Sequence, residues 1–280
     1  MPDTIAVTTR RVPGADAEVI SSFFPVPGLG FIPINCFLLH AREPVLVDTG
    51  PVVLRDQYVR ALEQLIDLED VRWIYLTHAD PDHVGCVRDV LAAAPNAQIV
   101  TTFLGLGRLT LYHGVTPDRV YLLNPGQRLS VGDRELRVIE PLTFDAPDTT
   151  AFTDSQTGTL FSSDSFGGIV AGPAECAADL SATALRDGVV TWATIDAPWL
   201  RHVNRPTFEA ATARFRELDP PVVLSSHLPP AHGLLEVLLD HVATARAQPR
   251  WVGPDQAALT ALLASLAEPG PRDEEAHPQV

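Results

Sequence analysis

The segment Trp73-Ile-Tyr-Leu-Thr-His-Ala-Asp-Pro-Asp-His-Val-Gly85 runs from an apolar strand into His78, Asp80, Asp82 and His83, four metal-ligating side chains within six residues. On an extended or looping backbone alternate side chains share a direction. His78 and Asp80 can therefore face one ion while the turn at Asp82-His83 faces a second beside it. A metal pair of this kind either generates a nucleophilic hydroxide or, with a redox-active metal, moves electrons. Taken singly, Asp82 reads as a helix N-cap and either histidine as a surface residue. Four together at the end of an apolar strand favour the metal.

The elements that must position these groups follow from pattern and punctuation. Short β-rich runs open the chain at Ile5–Thr9, Glu18–Phe24, Ile34–His40 and Pro44–Asp48, the last closing on Thr49-Gly50. A helix over Val53–Ile66, a buried strand over Arg72–Thr77 and a helix over Val84–Ala94 come next. A strand at Gln98–Thr102, a short helix at Leu104–Tyr112 and a meander over Val120–Glu140 follow, then strands at Ala151–Asp154 and Thr159–Ser162. The remainder reads as helices Leu180–Thr194, Thr207–Glu217, Leu234–Ala245 and Gln256–Leu266 with a strand at Val222–Ser225. Two β-rich stretches, each followed by helices, predict an α/β sandwich of two packed sheets with helices outside, in one domain over residues 1–267. The acidic, Pro-rich tail over residues 268–280 is expected to be disordered.

Composition narrows the chemistry. The 280 residues are 46% hydrophobic, enough to bury a substantial core. Lys+Arg 20 against Asp+Glu 35 gives a formal charge of -15, which repels nucleic acid and anionic membranes. Every basic side chain is Arg, so lysine Schiff bases and a P-loop lysine are excluded. Cys36, Cys86 and Cys176 are odd in number and lack C-x-x-C spacing, which fits a reducing compartment and excludes a four-thiolate zinc site. Cys86 reads as a small buried hydrophobe on a helix. The N-terminus has no signal-peptide core and no apolar run approaches the ~18 residues of a membrane span. A cytoplasmic protein with no membrane or nucleic-acid partner is expected.

The motif H-A-D-P-D-H after a buried strand resembles the H-x-H-x-D-H motif of the metallo-β-lactamase superfamily, with Asp80 in place of its second His. An acidic residue there resembles the di-iron branch, the flavodiiron proteins and their oxygen-binding relatives. Ile34-Asn-Cys-Phe-Leu-Leu39 followed by Val45-Leu-Val-Asp-Thr-Gly50 is similar to the superfamily's opening hairpin, in which the residue matching Asp48 supports the metal loop. Leu160-Phe-Ser-Ser-Asp-Ser-Phe-Gly167 is similar to the flavodiiron segment with the bridging carboxylate, and Pro221-Val-Val-Leu-Ser-Ser-His227 to the last strand with its terminal His. The resemblance thus implies the αββα sandwich, a bridging role for Asp164 and a ligand role for His227. The family's remaining His falls where this chain has Asp145, with Asp148 as a neighbouring competitor. Of the intervals, 61 residues separate His83 from Asp145, 18 separate Asp145 from Asp164 and 62 separate Asp164 from His227.

The implied constellation is His78, Asp80, Asp145 and Asp164 on one metal and Asp82, His83, Asp164 and His227 on the other, with Asp82 and Asp164 closest to the chemistry. Two divalent ions and four aspartates leave a neutral centre, which polarises a substrate oxygen and acidifies bound water less than a cationic one. Hard oxygen donors suit iron, with manganese or zinc as alternatives, and anionic ligands favour Fe(III) over Fe(II). The expected function is binding or reduction of a small oxidant such as oxygen, nitric oxide or peroxide. The family's flavin domain has no counterpart in the stretch after His227, so electrons are expected from a separate flavoprotein partner. A homodimer is the oligomeric option. The alternatives are a metal-dependent hydrolase of an ester, thioester, lactone or phosphodiester, and an oxygen or redox sensor without turnover. His40, His113, His202, His232, His241 and His277 read as surface or satisfied core residues, with His202 and His232 nearest the matched segments.

Overall fold

The computed structural model describes residues 5–267, so the tail at 268–280 lies outside the described residues. Thirteen strands form two sheets among these residues. The first sheet runs in chain order through β1 (Thr8–Val12), β2 (Ala17–Val26), β3 (Gly30–Leu39), β4 (Val45–Val47), β5 (Trp73–Tyr75), β6 (Gln98–Thr101) and β7 (Val120–Leu122). Pairing is antiparallel as far as β4 and parallel from β4 to β7. The second sheet contains β8 (Arg128–Ser130), β9 (Glu135–Ile139), β10 (Ala151–Asp154), β11 (Leu160–Phe161), β12 (Val222–Leu224) and β13 (Ala231–His232). Around them lie α1 (Arg55–Glu63), α2 (Pro81–Val84), α3 (Val87–Ala93), α4 (Phe103–His113), α5 (Ala182–Asp196), α6 (Arg205–Leu218), α7 (Leu235–Arg246) and α8 (Gln256–Ala267).

Three apolar clusters define the layers. Between the sheets, Phe37, Tyr75, Phe152 and Phe161 interlock, with Phe152 and Phe161 stacked at 4.5 Å and Phe37 edge-on to Phe161 at 5.6 Å. On the outer face of the first sheet, Leu46, Ile74 and Ile99 meet Leu62 of α1, Val90 of α3 and Leu109 of α4. On the outer face of the second, Leu160 and Val223 meet Val189 of α5, Phe215 of α6 and Leu238 of α7. This is the αββα sandwich read from the sequence. The parallel strands β4 and β5 are buried on both faces and so consist wholly of Val, Leu, Trp, Ile and Tyr.

Several sequence-based boundaries move, β3 for instance beginning at Gly30 rather than Ile34. The first strand spans Thr8–Val12 rather than Ile5–Thr9, because its partners run from Ala17 to Ser21. The helix expected over Val84–Ala94 is broken in two around Gly85-Cys86. The His83 carbonyl, which would accept the next helical hydrogen bond, instead accepts from Thr49 N (2.6 Å) and Thr49 Oγ1 (3.0 Å). Cys86 is fully buried in this break, as a small hydrophobe, and burial pushes its thiol up to about 12. Gly85 allows the close approach, since a Cβ there would lie 2.3 Å from Val52 N and 2.6 Å from Gly50 O. Gly85→Ala is therefore expected to lower stability by about 1–3 kcal/mol through overpacking, read as a lower denaturant midpoint with unchanged slope.

Both sheets deliver loops to one edge. The parallel pair β11 and β12 places Phe161 beside Leu224, so three residues further on each chain Asp164 and His227 emerge together. From the other sheet, the loop after β5 carries His78 and Asp80 and the short helix α2 that follows carries Asp82 and His83.

Candidate metal centre

Asp48 sets the first loop. It follows β4 in the left-handed region at φ 59, a conformation an Asp tolerates better than most residues, and its carbonyl accepts from Tyr58 Oη at 3.1 Å. Its buried carboxylate accepts from Thr77 N (2.8 Å) and Thr77 Oγ1 (2.9 Å), and the other face of the hub is His83 Nδ1 at 2.8 Å. A ring held at Nδ1 presents Nε2 inward, the orientation that a carboxylate imposes on metal-ligating histidines. His227 is held in the same way, its Nδ1 donating to Pro33 O at 2.8 Å. Asn35 of β3 clasps the same loop, donating from Nδ2 to Ser225 O (3.0 Å) and Leu228 O (2.8 Å).

Asp164 stands at the middle. Its Oδ1 lies 3.2 Å from His83 Nε2 and 3.3 Å from His227 Nε2, while Oδ2 lies 3.4 Å from His78 Nε2. Each oxygen thus faces a different set of imidazoles. Asp82 Oδ2 is 3.6 Å from His83 Nε2 and 3.5 Å from His227 Nε2, and Asp145 Oδ1 is 3.8 Å from His78 Nε2. Within a 4.8 Å reach, the donor atoms form the sets His78, His83 and Asp164; Asp82, His83 and His227; His78, Asp80 and Asp145; and Asp145, Asp164 and Asp196. All seven residues predicted from the sequence fall in these sets. His40, His113, His202, His232 and His241 do not, and His277 lies outside the described residues.

The charges are strongly perturbed. Burial works against ionising Asp164, but His78, His83 and His227 outweigh it and hold its carboxyl well below the usual range. Burial likewise opposes charging His227, yet Asp164 and Asp82 bring it up to about 9, and His83 is raised by Asp82, Asp164 and Asp48 against the same penalty. Asp145 is pushed up to about 6, first by burial and then by Asp164 and Asp80 despite His78.

Two residues were not legible in the sequence. Arg108 of α4 donates from Nη1 to Asp148 Oδ1 at 2.8 Å and from Nη2 to Asp80 Oδ1, while Asp148 Oδ2 accepts from Ala79 N at 3.0 Å. Asp148 is thus a buried clamp on the metal loop, turned to Arg108 and Ala79, and Asp145 occupies the position facing His78. Burial opposes the Asp80 charge, but Arg108 and His78 hold its carboxyl low. Gly105 lets α4 come this close, since a Cβ there would lie 2.1 Å from Thr101 Oγ1. Arg108→Ala leaves Asp148 buried and unpaired. It is expected to cost about 2–3 kcal/mol, less than the ~3–5 of a fully buried pair because the guanidinium is partly exposed. Metal retained at the His78 side should fall with it, read by plasma mass spectrometry after dialysis. The second residue, Asp196, closes α5.

These residues fit a metal pair. His78 Nε2, His83 Nε2 and Asp164 Oδ1 are buried without a hydrogen-bond partner, although their side chains are only 1%, 2% and 4% exposed. An orphaned buried polar atom costs about 1–3 kcal/mol, and three facing one another are what cations between them would satisfy. The donor set, imidazole nitrogen and carboxylate oxygen, suits first-row transition metals.

Known proteins resemble parts of this chain in sequence and in fold. Residues 32–227 match the family model described as ODP family beta lactamase. An uncharacterized protein of Methanocaldococcus jannaschii is 30% identical over 133 residues, covering 48% of this chain and 34% of the relative. The anaerobic nitric oxide reductase flavorubredoxin of Pectobacterium atrosepticum is 28% identical over 134 residues, covering 48% and 26%. The match therefore spans about a third or less of these relatives' own length. In fold the chain is similar to the rubredoxin oxygen:oxidoreductase of Desulfovibrio gigas, with a TM-score of 0.76 at 16% identity over 86% of this chain and 62% of that one.

Proposed function

The chain belongs to the ODP family beta lactamases, and from that premise we propose that it holds two metal ions, iron in the working protein, and binds or reduces a small oxidant: oxygen, nitric oxide or peroxide. The observation that carries this reading is the convergence of His78, Asp80 and Asp145 on one side of Asp164 and Asp82, His83 and His227 on the other. These residues would hold an iron pair, which would supply one-electron redox chemistry towards the oxidant. The protein's own part is positional and electrostatic. Asp48 and Pro33 O fix the His83 and His227 rings with Nε2 inward, and Asp164 presents one oxygen to each side. Ser165 Oγ donates to Thr143 O at 2.8 Å and accepts from Thr143 N at 3.0 Å, tying the Asp145 loop to the Asp164 loop.

The carboxylates Asp80, Asp82, Asp145 and Asp164 offset the charge of two divalent ions, which disfavours a hydrolytic centre and favours the oxidised state of iron. Relatives whose names include nitric oxide reductase and rubredoxin oxygen:oxidoreductase support the same class of reaction. Electrons would come from a flavin or other redox donor. No described helix is long and apolar enough to cross a membrane.

The test is metal content and turnover together. Untagged protein purified in air should carry near two irons per chain with ligand-to-metal absorption in the near ultraviolet and visible. With a supplied reductase it should consume oxygen or nitric oxide. Two zincs in a colourless protein that turns over esters or phosphodiesters would overturn the proposal.

A further inference from the structure

We propose that Asp196 is an additional carboxylate ligand of this centre, on the side shared by Asp145 and Asp164; the proposal rests on the two-metal reading above. One oxygen of Asp196 lies within 4.8 Å of carboxylate oxygens of both Asp145 and Asp164. Its Oδ2 is buried without a hydrogen-bond partner, the same condition that marks His78 Nε2, His83 Nε2 and Asp164 Oδ1. Of the seven such atoms among the described residues, those of His40, Thr101 and His241 lie outside the metal sets, and Asp196 is the fourth within them.

The position of Asp196 is enforced from both sides. Trp192, one helical turn earlier on the same face of α5, donates from Nε1 to Asp164 O at 3.0 Å and packs its ring 4.4 Å from that of His227. Beyond the helix, Trp199 Nε1 donates to Phe144 O at 2.7 Å, which pins the Asp145 loop against the end of α5.

The surroundings are hostile to a carboxylate unless a cation is present. Asp196 ends a helix, where the backbone dipole is negative, and the last turn of α5 contains no basic residue. Its carboxylate also faces those of Asp164 and Asp145 within the same 4.8 Å. A divalent ion between these three oxygens reverses each penalty, and a fifth carboxylate shifts the centre further towards hard metals such as Mn2+ or Fe2+ and away from Zn2+.

The test titrates metal-free protein with Mn2+, following free ion by electron paramagnetic resonance, for wild type, Asp196→Asn, Asp196→Ala and the exposed control Asp187→Asn on the same helix. Wild type and the control are expected to bind two ions. Both Asp196 variants should lose at least tenfold in affinity for one of them, with their metal-free melting temperatures unchanged or raised because an unfavourable buried acid is gone. Crystals loaded with Mn2+ should place an Asp196 oxygen at bonding distance from an ion. If wild type binds two ions and both variants bind them within twofold of wild type, Asp196 is not a ligand and the two-metal reading stands. If wild type binds fewer than two, that reading falls and this inference with it.

Discussion

Asp164→Asn is expected to reduce bound metal from two ions per chain to one or none. The carboxylate presents Oδ1 to His83 and His227 and Oδ2 to His78, so both halves of the site draw on one side chain. Asparagine keeps one oxygen and replaces the other with an amide nitrogen that cannot ligate. The substitution also removes the buried anion that three imidazoles share. Truncating such a buried pair costs about 3–5 kcal/mol, so the metal-free variant should also melt well below the metal-free wild type at neutral pH. Asp82→Asn, whose carboxylate faces only His83 and His227, should lose one ion while retaining the other. Plasma mass spectrometry on dialysed protein reads both variants, and two ions retained in Asp164→Asn would mean that the centre is not built around a shared carboxylate.

The metal-free and metal-loaded proteins are expected to respond to pH in opposite directions. His227 is brought to about 9 by Asp164 and Asp82 against its burial, above the ~6.5 of an unfolded chain. Its stabilising contribution is complete below about 6.5 and disappears as the pH rises through 9, a loss on the order of 3 kcal/mol. Asp196, raised to about 8, adds to the same slope up to that value, whereas the effect of Asp145, raised to about 6, is spent below this window. The folded state keeps their protons where the unfolded chain has released them, so stability falls between the ordinary Asp value near 4 and the raised one and levels off above it. The contribution of Asp164, whose carboxyl is lowered, is present above the ordinary Asp value near 4 and is lost only in acid. Metal binding displaces these same protons and tightens with rising pH. Melting temperatures of chelator-treated protein at pH 6.5, 7.5 and 9 should therefore fall while Mn2+ affinity rises. A metal-free protein that melts higher at pH 9 would show that the imidazoles are neutral in the fold.

The layers of the sandwich were legible because β4 and β5 are continuous apolar runs and because turn residues bound most strands. The metal loop was legible because four donors stand within six residues. Asp164 and His227 are distant in sequence, but each ends a short apolar run, and the parallel pairing of β11 with β12 makes those ends coincide. The break at Gly85-Cys86 was not legible, since helical patterning continues through it and only the tertiary bond from Thr49 to the His83 carbonyl interrupts it. Arg108 was hidden for a similar reason: its role depends on how closely α4 can approach β6, a matter of the missing Cβ at Gly105 rather than of any motif. Asp196 left one faint signal. An acid in the last turn of a helix opposes the backbone dipole and invites the question of what cation compensates it.

The convergence of β5, β11 and β12 at one edge also has a kinetic consequence. The loop carrying His78 and His83 and the loop carrying His227 come from different sheets, so the complete ligand set exists only where the two sheets are packed on the aromatic layer of Phe37, Tyr75, Phe152 and Phe161. Although His78, Asp80, Asp82 and His83 lie close in sequence, the rest of the set, Asp145, Asp164 and His227, is supplied by distant segments, so full metal affinity is expected only in the folded chain. Ions select chains that have already finished folding and retain them, adding about 2.7 kcal/mol when free metal exceeds its dissociation constant a hundredfold. Interactions formed after the rate-limiting barrier act on unfolding alone. Refolding should proceed at one rate with or without metal, and the loaded protein should differ only in how slowly it comes apart.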